Sequence, residues 1–474
     1  MKTYQNLIAN QWVASDTGIT LTVTNPATEA LAGAVHLASA AQVLQACHAA
    51  AKAQRAWRKT PAIGRADFMR RLADALVARK HAIGAALALE SGKSLEDATN
   101  EAAYAADITR YHAEWARRIE GEVIPSDSPS ENLVLHREPL GVVACLIPFN
   151  YPVYTLLRKI APALITGNTV VVRPSNNTPC SAFEIAQAVL DAGLPPGVVN
   201  IMAMDHDAAE QMCTHPRVAM ITLTGSVAAG RRMLDFSRTN IARVSLEMGG
   251  KTPAIITPSA DLDAAMAAIV GSKTTHCGQL CTAVERVYVH RSLHDAVLQR
   301  LRTGMQGRAF GDRTADAGRM GPLVSDAARQ GIHAMVQRAV ADGARLECGG
   351  VVPDGPGFFY PPTLLSGMRQ DSEIVQQETF GPVLCVLPYD DFDDALAMAS
   401  DHQYGLASVL YSNDYREVMQ AGNEIEAGEL YINRTPADPY QGYHAGWKRS
   451  GLGGDDGKHG MLEFTQTRLV VMPY

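Results

Sequence analysis

The sequence predicts an α/β protein with two doubly wound parallel sheets. Two series of short apolar segments alternate with helix-like segments, one series before and one after Gly249-Gly250. Strands that alternate with helices form parallel sheets covered by helices on both faces. The length of 474 residues also exceeds what a single hydrophobic core supports, so we expect more than one domain.

An Ala-rich region at residues 38–120 precedes the first series. Its Arg, Lys and Glu residues are spaced between apolar positions, and breaks fall at Thr60-Pro61 and Ser91-Gly92. This pattern predicts three helices.

Both series are then assigned from apolar runs and their flanking turn residues. The first predicts strands at residues 132–138, 141–147, 169–172, 198–202 and 219–223, with helices at 181–190 and 228–237. The second predicts strands at 254–257, 286–290, 383–388, 408–411 and 430–433, with helices at 262–272, 293–306, 327–341 and 415–425. The strand at 132–138 and a C-terminal strand at 467–471 either pair with another subunit or form the edges of their own sheets.

The composition favours a small-molecule substrate. The net charge is −7, and no basic stripe with interleaved aromatic residues is present. Nucleic acid and anionic membrane surfaces are therefore not expected as partners. The longest uncharged run, residues 139–157, contains Pro148 and Pro152, which favour a strand, a turn and a helix start over a membrane helix. Because the N-terminus has no apolar signal segment, we expect a cytoplasmic protein.

Cys281 and Glu247 form the first candidate catalytic pair. A thiolate attacks a carbonyl carbon, and a nearby carboxylate deprotonates the thiol or a water molecule. The alternative is that Cys281 is an inert core residue. Cys277 lies close by, but no second Cys or His cluster completes four ligands, so we expect no metal. The eight scattered cysteines fit free thiols.

Three further segments follow predicted strands, where ligands of open α/β sheets bind. Gly225, Ser226 and Gly230 open a helix whose N–H groups suit a pyrophosphate, although an ordinary tight turn is the alternative. The amide of Asn150 suits a developing oxyanion, unless this residue is only a turn former. Arg173 suits a ribose or a phosphate, with an exposed salt bridge as the alternative.

Seven motifs, in order along nearly the whole chain, resemble those of the aldehyde dehydrogenase superfamily. They are Asn25-Pro26-Ala27-Thr28, Pro148-Phe149-Asn150, Gly225-Ser226 with Gly230, Leu246-Glu247-Met248-Gly249-Gly250-Lys251, Gly278-Gln279-Leu280-Cys281, Glu378-Thr379-Phe380-Gly381-Pro382 and Tyr431-Ile432-Asn433. The resemblance implies an aldehyde dehydrogenase-like fold, with two doubly wound α/β domains plus a small β-ribbon oligomerisation element.

The resemblance also implies how the chain is divided. Residues 1–116 and 143–247 are expected to form a dinucleotide-binding domain, and residues 248–454 a catalytic domain. Residues 117–142 and 455–474 are expected to form the oligomerisation ribbon. The family forms dimers and tetramers, so we expect a homo-oligomer of one of these sizes.

The resemblance assigns catalytic roles to three residues. Cys281 is expected to attack the aldehyde, Asn150 and the Cys281 N–H to stabilise the thiohemiacetal oxyanion, and Glu247 to activate the water that hydrolyses the thioester. Glu247 argues against the CoA-acylating branch, which lacks it. The alternatives from other classes are a nicotinamide-independent thioesterase or acyltransferase and a cofactor-binding protein without turnover.

The expected cofactor is NAD or NADP. Its predicted contacts are Ile147, Phe149, Arg173, Ser175, Asn176, Gly225, Ser226, Gly230, Gly249, Glu378 and Phe380. Arg173 and Asn176 stand where the family has a lysine and a glutamate that contact the adenosine ribose. Loss of the glutamate removes repulsion of a 2′-phosphate, and Arg173 can pair with that group, so we expect NADP to be tolerated or preferred. The alternative is that both substitutions are neutral and NAD is used.

Within the superfamily, residues 113–122, 158–164 and 441–447 resemble bacterial lactaldehyde and glycolaldehyde dehydrogenases. The resemblance places Arg158 and His444 near the substrate hydroxyl or carboxylate, which favours a small polar aldehyde. A helix-surface cation and a loop histidine are the respective alternatives, and a semialdehyde that carries a carboxylate is the alternative substrate. Thr282 and residues 436–439 depart from that subfamily where substrates are selected, so the aldehyde itself stays open.

Overall fold

Fourteen α-helices lie within residues 2–474, the part of the chain that this computed structural model describes. They are α1 Ala40–Trp57, α2 Ala62–Ser91, α3 Leu95–Ala113, α4 Pro152–Ile165, α5 Cys180–Asp191, α6 His206–Cys213, α7 Val227–Asn240, α8 Leu262–Thr274, α9 His294–Gln306, α10 Asp326–Ala341, α11 Glu373–Gln376, α12 Phe392–Ser400, α13 Tyr415–Glu424 and α14 Gly457–Glu463. None of these helices has the length and apolar composition needed to cross a membrane.

The strands of the same described region form an eight-stranded sheet, a seven-stranded sheet, two three-stranded sheets and one two-stranded sheet. They are β1 Thr3–Tyr4, β2 Asn6–Ile8, β3 Gln11–Val13, β4 Thr20–Thr24, β5 Leu31–His36, β6 Glu122–Ile124, β7 Glu131–Pro139, β8 Val142–Leu146, β9 Thr169–Arg173, β10 Val199–Ile201, β11 Val218–Thr224, β12 Arg243–Glu247, β13 Pro253–Ile256, β14 Arg286–His290, β15 Arg345–Cys348, β16 Thr363–Ser366, β17 Val383–Tyr389, β18 Tyr404–Gly405, β19 Ala407–Tyr411, β20 Glu429–Ile432, β21 Trp447–Lys448, β22 Gly451–Leu452 and β23 Thr465–Pro473.

The largest sheet has eight strands in the order β22-β12-β11-β8-β9-β10-β2-β3. Its five central strands, β12 to β10, are parallel. Val170 and Val172 of β9 pack into the core on one face, and Val171 packs into the core on the other. A strand buried on both faces is apolar at successive positions, which is why β9 reads as a continuous apolar run.

A seven-stranded sheet follows the same plan in the second half of the chain. Its order is β15-β16-β17-β14-β13-β19-β20, and only β15 is antiparallel to its neighbour. Tyr288 of β14 packs on one face, whereas Val287 and Val289 pack on the other. Two doubly wound sheets therefore confirm the predicted fold class.

A three-stranded sheet contains the two strands whose pairing the sequence left open. β23 pairs antiparallel with β7 of the same chain, and β6 completes the order β23-β7-β6. Both outer strands expose apolar side chains: Val123 is 76% exposed and Leu469 is 54% exposed. A role of this sheet in oligomerisation stays a prediction.

The three helices expected within residues 38–120 are confirmed as α1, α2 and α3. The helix start expected within residues 139–157 is confirmed as the beginning of α4 at Pro152. Several elements were not predicted, among them the five N-terminal strands, α6 and β12. The N-terminal strands are short, at two to six residues each. The domain boundaries stay a prediction. β22, which lies in the range expected for the catalytic domain, pairs with β12 of the eight-stranded sheet.

Candidate active site

A cavity of about 770 Å³ brings together residues from both halves of the chain. Asn150 follows β8, Glu247 ends β12, and Arg158 lies on α4, all on the side of the eight-stranded sheet. Cys281 and Thr282 reach the same cavity from the loop before β14. The structure therefore places all three predicted catalytic residues around one space.

A left-handed turn presents Cys281 to this cavity. His276, Cys277 and Gly278 have φ angles of 45°, 58° and 69°. The first two are unusual because left-handed backbone costs an L-residue roughly 1–2 kcal/mol. The turn separates the two cysteines: Cys277 packs in the core, whereas Cys281 lines the cavity and is only partly buried. The inert-core alternative thus describes Cys277 and not Cys281.

Asn150 faces the loop that carries the thiol. It is 7% exposed, and its side-chain Nδ2 donates a hydrogen bond to the Gln279 carbonyl at 3.0 Å. The Cys281 N–H is not used in any hydrogen bond among residues 2–474. An amide N–H₂ and a free backbone N–H on one wall have the chemistry of an oxyanion hole.

Glu247 is buried next to basic and hydroxyl groups. The Thr224 hydroxyl donates to Glu247 Oε2 at 3.1 Å, His444 Nε2 lies 3.4 Å from Oε1, and Arg158 Nη1 lies 3.9 Å from Oε2. Burial, with repulsion from Asp455, raises the pKa of Glu247 to about 7 against the attraction of His444 and Arg158. A carboxyl group with this pKa exchanges protons readily near neutral pH, as a general base must.

His444 lies between Glu247 and a second carboxylate. Its Nδ1–H donates to Glu429 Oε1 at 2.9 Å, and Asp438 Oδ2 lies 4.0 Å from the same nitrogen. Burial alone would lower the pKa of His444, but Glu247, Asp438 and Glu429 raise it well above its usual value. The alternative that His444 is only a structural loop histidine leaves out its imidazole, which lies next to the candidate base Glu247.

Arg158 is 5% exposed, so the interpretation of this residue as a helix-surface cation is wrong. Its guanidinium forms ion pairs with Asp438 and Asp456. The adjacent Lys159 is equally buried and donates to Asp455 Oδ2 at 2.7 Å. Arg158 therefore lines the cavity with its charge already matched by carboxylates.

The thiol itself feels two opposing effects. Burial raises the pKa of Cys281, whereas the positive charge of His444 lowers it, and the carboxylates of Asp438 and Glu247 raise it further. His444 is thus the group that favours the thiolate. Thr282, 4% exposed, follows directly and lines the cavity wall.

Four carboxylates of this site were not identified from the sequence: Glu429, Asp438, Asp455 and Asp456. They pair with cations that are distant in sequence, and none belongs to a recognised motif. The departure at residues 436–439 from the resembling subfamily was the one available signal, and it marks the loop of Asp438.

The predicted cofactor residues of the first half lie at the carboxyl ends of the parallel strands. Ile147 and Phe149 follow β8, Arg173 ends β9, and the loop after β9 carries Ser175 and Asn176. Arg173 Nε donates to the Met204 carbonyl at 3.3 Å, and no carboxylate of residues 2–474 forms an ion pair with it, so the salt-bridge alternative is wrong. Asn176 Oδ1 is buried and accepts no hydrogen bond within the described chain.

The glycine-rich turn after β11 has the geometry of a helix N-terminus. Gly225 N–H donates to the Glu247 carbonyl at 2.9 Å, and Ser226 caps α7 by accepting from the Ala229 N–H at 3.2 Å. A Cβ atom on Gly230 would lie 2.1 Å from Met248 Sδ, so a side chain there would displace its neighbour. The first turn of α7 thus stays free to face an anion.

The remaining cofactor residues come from the second half. Glu378 Oε1 accepts from the Gly250 N–H at 3.1 Å, and burial raises the pKa of Glu378 to about 8. A Cβ on Gly249 would lie 2.1 Å from Glu378 Oε2, so this close approach requires glycine. The rings of Phe149 and Phe380 meet edge to face at 5.7 Å and join the two halves.

These features fit a dinucleotide. The Ser226 helix terminus suits a pyrophosphate, the half-buried Glu378 carboxyl suits ribose hydroxyl groups, and the unpartnered Asn176 Oδ1 suits a hydrogen-bond donor of the adenosine half. Within residues 2–474, no group of three or more His, Cys, Asp or Glu residues is placed to hold a metal ion.

Comparisons with known proteins agree with this geometry. The sequence profile described as "Aldehyde dehydrogenase family" matches residues 12–470. Lactaldehyde dehydrogenase of Escherichia coli strain K12 is 43% identical over 454 residues, which cover 95% of this chain and 94% of that protein. The crystal structure of lactaldehyde dehydrogenase from E. coli superposes with a TM-score of 0.98 at 41% identity, covering 99% of both chains. A 3,6-anhydro-L-galactose dehydrogenase in complex with NADP superposes with a TM-score of 0.96 at 34% identity, covering 99% of this chain and 100% of that one.

Proposed function

The chain belongs to the aldehyde dehydrogenase family and oxidises an aldehyde with NAD or NADP, and we propose that its substrate is a small hydroxyaldehyde such as lactaldehyde or glycolaldehyde. One observation carries the proposal: the end of the cavity that holds Cys281 is lined by Arg158, Glu247 and Asp438, hydrogen-bonding groups whose charges are already matched.

We propose a covalent mechanism. The Cys281 thiolate attacks the aldehyde carbon, and the carbonyl oxygen becomes an oxyanion. Asn150 Nδ2 exchanges its hydrogen bond with the Gln279 carbonyl for one to this oxyanion, and the Cys281 N–H supplies a second. The positive charge of His444 favours the thiolate before the attack.

The second half of the reaction depends on Glu247. A bound nicotinamide would supply the hydride acceptor, and loss of hydride from the former aldehyde carbon leaves an acyl thioester on Cys281. Glu247 then removes a proton from a water molecule that attacks the thioester, and the carboxylate product leaves. Its pKa of about 7 suits both the uptake and the release of this proton.

The polar groups near the thiol support a hydroxylated substrate. Asp438 and Arg158 line the cavity and pair with each other, so a hydroxyl group next to the aldehyde finds an acceptor and a donor side by side. A site built to bond a hydroxyl rejects an analogue without it, because its buried polar groups are then left unpaired.

A substrate with its own carboxylate is less compatible with the same end of the cavity. Arg158 faces Asp438, Asp456 and Glu247, and His444 faces Glu247, Glu429 and Asp438. Another carboxylate would compete with these groups and not fill a vacant cationic position. A semialdehyde is therefore the second candidate.

The adenosine end supports use of NADP. Arg173 has no carboxylate partner within residues 2–474, and Asn176 presents no negative charge where the family has a glutamate. A guanidinium without an ion-pair partner is suited to a 2′-phosphate.

Nicotinamide reduction by the purified protein tests the substrate. Lactaldehyde should exceed propionaldehyde in kcat/KM by about tenfold or more, and glycolaldehyde should exceed acetaldehyde by a similar factor, since loss of the hydroxyl group leaves buried polar groups without a partner. Succinic semialdehyde is the matched comparison for a carboxylate. Equal or higher kcat/KM with propionaldehyde or with the semialdehyde would overturn the hydroxyaldehyde proposal.

The same assay with NAD⁺ and NADP⁺ tests the cofactor. We expect the NADP⁺ to NAD⁺ ratio of kcat/KM to be at least one, and Arg173→Ala to lower the ratio by about tenfold, the effect of one charge-assisted hydrogen bond. A ratio far below one in the unmodified enzyme would contradict this expectation.

A further inference from the structure

Lys93 is a buried cation next to the candidate oxyanion hole that does not contact the thiol. It is 3% exposed, pairs with Glu101 Oε2 at 2.5 Å, and donates to the backbone carbonyl of Asn150 at 2.6 Å. Its ammonium also lies over the Tyr151 ring, 3.7 Å from the centroid. One lysine therefore contacts two successive residues of the segment that presents the Asn150 amide.

Glu101 holds the other end of this segment. Its Oε1 accepts from the N–H groups of Val153 and Tyr154 at 3.0 and 3.1 Å, in the first turn of α4. Tyr151, which precedes the helix, provides no side-chain cap. Glu101 therefore satisfies helix N–H groups that would otherwise lack a partner. We call residues 150–154 the Asn150 segment.

A second buried cluster holds the cofactor side in a similar way. Glu285 is 2% exposed and pairs with Lys251 at 2.6 Å and Lys273 at 3.2 Å. It accepts from the N–H groups of Thr379 and Phe380, each at 2.9 Å. Phe380 has a φ of 49°, an unfavourable conformation for this residue that needs such support. We call residues 378–380 the Phe380 segment.

Stability does not by itself explain these pairs. Desolvation of two charges offsets most of their attraction, and apolar residues of similar volume are often as stable in such positions. What apolar residues cannot provide is hydrogen bonds to the backbone. Lys93 and the carboxylates of Glu101 and Glu285 bond backbone atoms of the two functional segments, at Asn150, Val153, Tyr154, Thr379 and Phe380.

We propose that Lys93 and Glu101 position the Asn150 amide for the reacting carbonyl, and that Glu285, with Lys251 and Lys273, positions the Phe380 segment for the nicotinamide. All five are positioning residues, because each acts through a segment that meets a reactant. The inference rests on the proposed roles of Asn150 and Phe380. It assigns a separate charged cluster to each of these two residues.

The first test is a mutant cycle. Lys93→Met with Glu101→Gln removes the ion pair without leaving an unpaired charge. We expect kcat to fall by about 10²-fold, the effect of a misplaced or lost oxyanion donor. In an Asn150→Ala background the same pair of changes should lower kcat by less than about twofold, because residues that act as one unit are not additive. With Glu101 unchanged, Lys93→Arg should keep a higher kcat than Lys93→Met, because arginine retains the positive charge.

The mutant cycle separates the possible failures. If Asn150→Ala alone leaves kcat unchanged, the proposed oxyanion role is wrong and the Lys93 inference falls with it. If Asn150→Ala impairs kcat but the Lys93 and Glu101 changes remain fully additive with it, the proposed function stands and only the positioning role is wrong.

The second test measures cofactor binding without turnover. Glu285→Gln should weaken NAD⁺ and NADP⁺ binding by about tenfold, as expected for disrupted contacts worth one or two hydrogen bonds. Quenching of protein fluorescence reports this dissociation constant. Glu285→Asp keeps the negative charge between the two lysines but cannot reach the two N–H groups. We therefore expect the same loss of cofactor affinity from Glu285→Asp, in a variant that keeps the charge balance needed for folding.

The two clusters serve as controls for each other. Lys93→Met with Glu101→Gln should leave the cofactor dissociation constant unchanged, and Glu285→Asp should leave the rate of Cys281 alkylation by iodoacetamide unchanged. If each change alters both readouts, or if Glu285→Asp leaves cofactor binding intact, the clusters are only structural supports. The proposal that one cluster positions Asn150 and the other positions the Phe380 segment would then be wrong.

Discussion

The Asn150 segment and the Phe380 segment are both held by buried lysine and glutamate side chains, but the two clusters differ in charge balance. One ammonium meets one carboxylate at Lys93–Glu101, whereas two ammonium groups meet one carboxylate at Glu285. The pKa values follow. Burial lowers the pKa of Lys93 against the attraction of Glu101, while burial is outweighed at Glu285, whose pKa its two lysines hold at about 2.

The difference matches the backbone groups that each cluster bonds. The Asn150 segment offers a carbonyl and two helix N–H groups, and it is held by a cation and an anion. The Phe380 segment offers two N–H groups of a left-handed turn, and it is held by an anion alone. In both clusters a cation meets a backbone carbonyl or an anion meets backbone N–H groups. Neighbouring side chains of opposite charge then neutralise that buried cation or anion.

The same contrast extends to the residues that meet the reactants. The thiol side comprises Asn150, Glu247 and Cys281, and the nicotinamide side comprises Gly249, Glu378 and Phe380. We expect changes on the thiol side to alter chemistry and changes on the nicotinamide side to alter cofactor binding.

Cys281→Ala should produce the largest effect. Loss of the covalent nucleophile is expected to lower kcat by at least about 10⁴-fold, while the cofactor dissociation constant stays the same. Stopped-flow and steady-state measurements of nicotinamide reduction check the first value, and fluorescence quenching checks the second. Cys277→Ala, which changes a core cysteine, should keep turnover and lower the Tm. Substantial turnover by the Cys281 variant would show that Cys281 is not the nucleophile and that the thiol side does not control the chemistry.

Glu247→Gln should separate the two halves of the reaction. Loss of a general base lowers the steady-state rate by about 10²- to 10⁴-fold. The first turnover should still give a burst of about one reduced cofactor per active site, because thioester formation does not use the activated water. Rapid-mixing absorbance measures the burst. A variant with no burst would show that Glu247 is needed before the hydride leaves.

Gly249→Ala should affect the nicotinamide side alone. The new methyl group would meet Glu378 Oε2 at 2.1 Å, so Glu378 must move. We expect cofactor binding to weaken by about tenfold, with a smaller effect on thiol alkylation. Gly331→Ala in α10, where a Cβ meets nothing within 4 Å, is the matched control and should bind cofactor normally.

The two sides of the site should differ least in their pH dependence. Glu247 acts as a base in its ionised form, so thioester hydrolysis should rise with pH, reach half its maximum near its pKa of about 7, and then level off. The pKa of Glu378 is raised to about 8, so any change in cofactor affinity should follow at higher pH. Glu247→Gln should abolish the first transition and keep the second. One shared transition in both measurements would mean that the two sides titrate together.

Part of the site could be predicted from the sequence because it depends on local patterns. Cys281, Glu247 and Asn150 lie in short motifs, and Asn150 also follows the strand that the apolar pattern predicts at residues 141–147. Parallel strands bring their carboxyl ends to one edge, so residues at those ends are expected to meet.

The supporting charges could not be predicted in this way. Arg158 bonds Asp456 across 298 positions, and Lys93 bonds the Asn150 carbonyl across 57 positions. The apolar pattern also gave no indication of the left-handed residues His276 and Cys277, because glycine is the residue that normally signals such a turn. These features determine which cysteine reaches the cavity and which cations are already paired.

The sequence alone therefore determined the fold class, the order of the motifs and the residue types available for covalent catalysis on an aldehyde, because strand burial and motif spacing are properties of neighbouring residues. The tertiary structure decided the pairing of Lys93 with Glu101 and of Glu285 with its two lysines, and the proton affinity of Glu247. The reason is physical: a buried charge depends on its distance to every other charge and to water, and folding sets those distances between residues that are far apart in the chain.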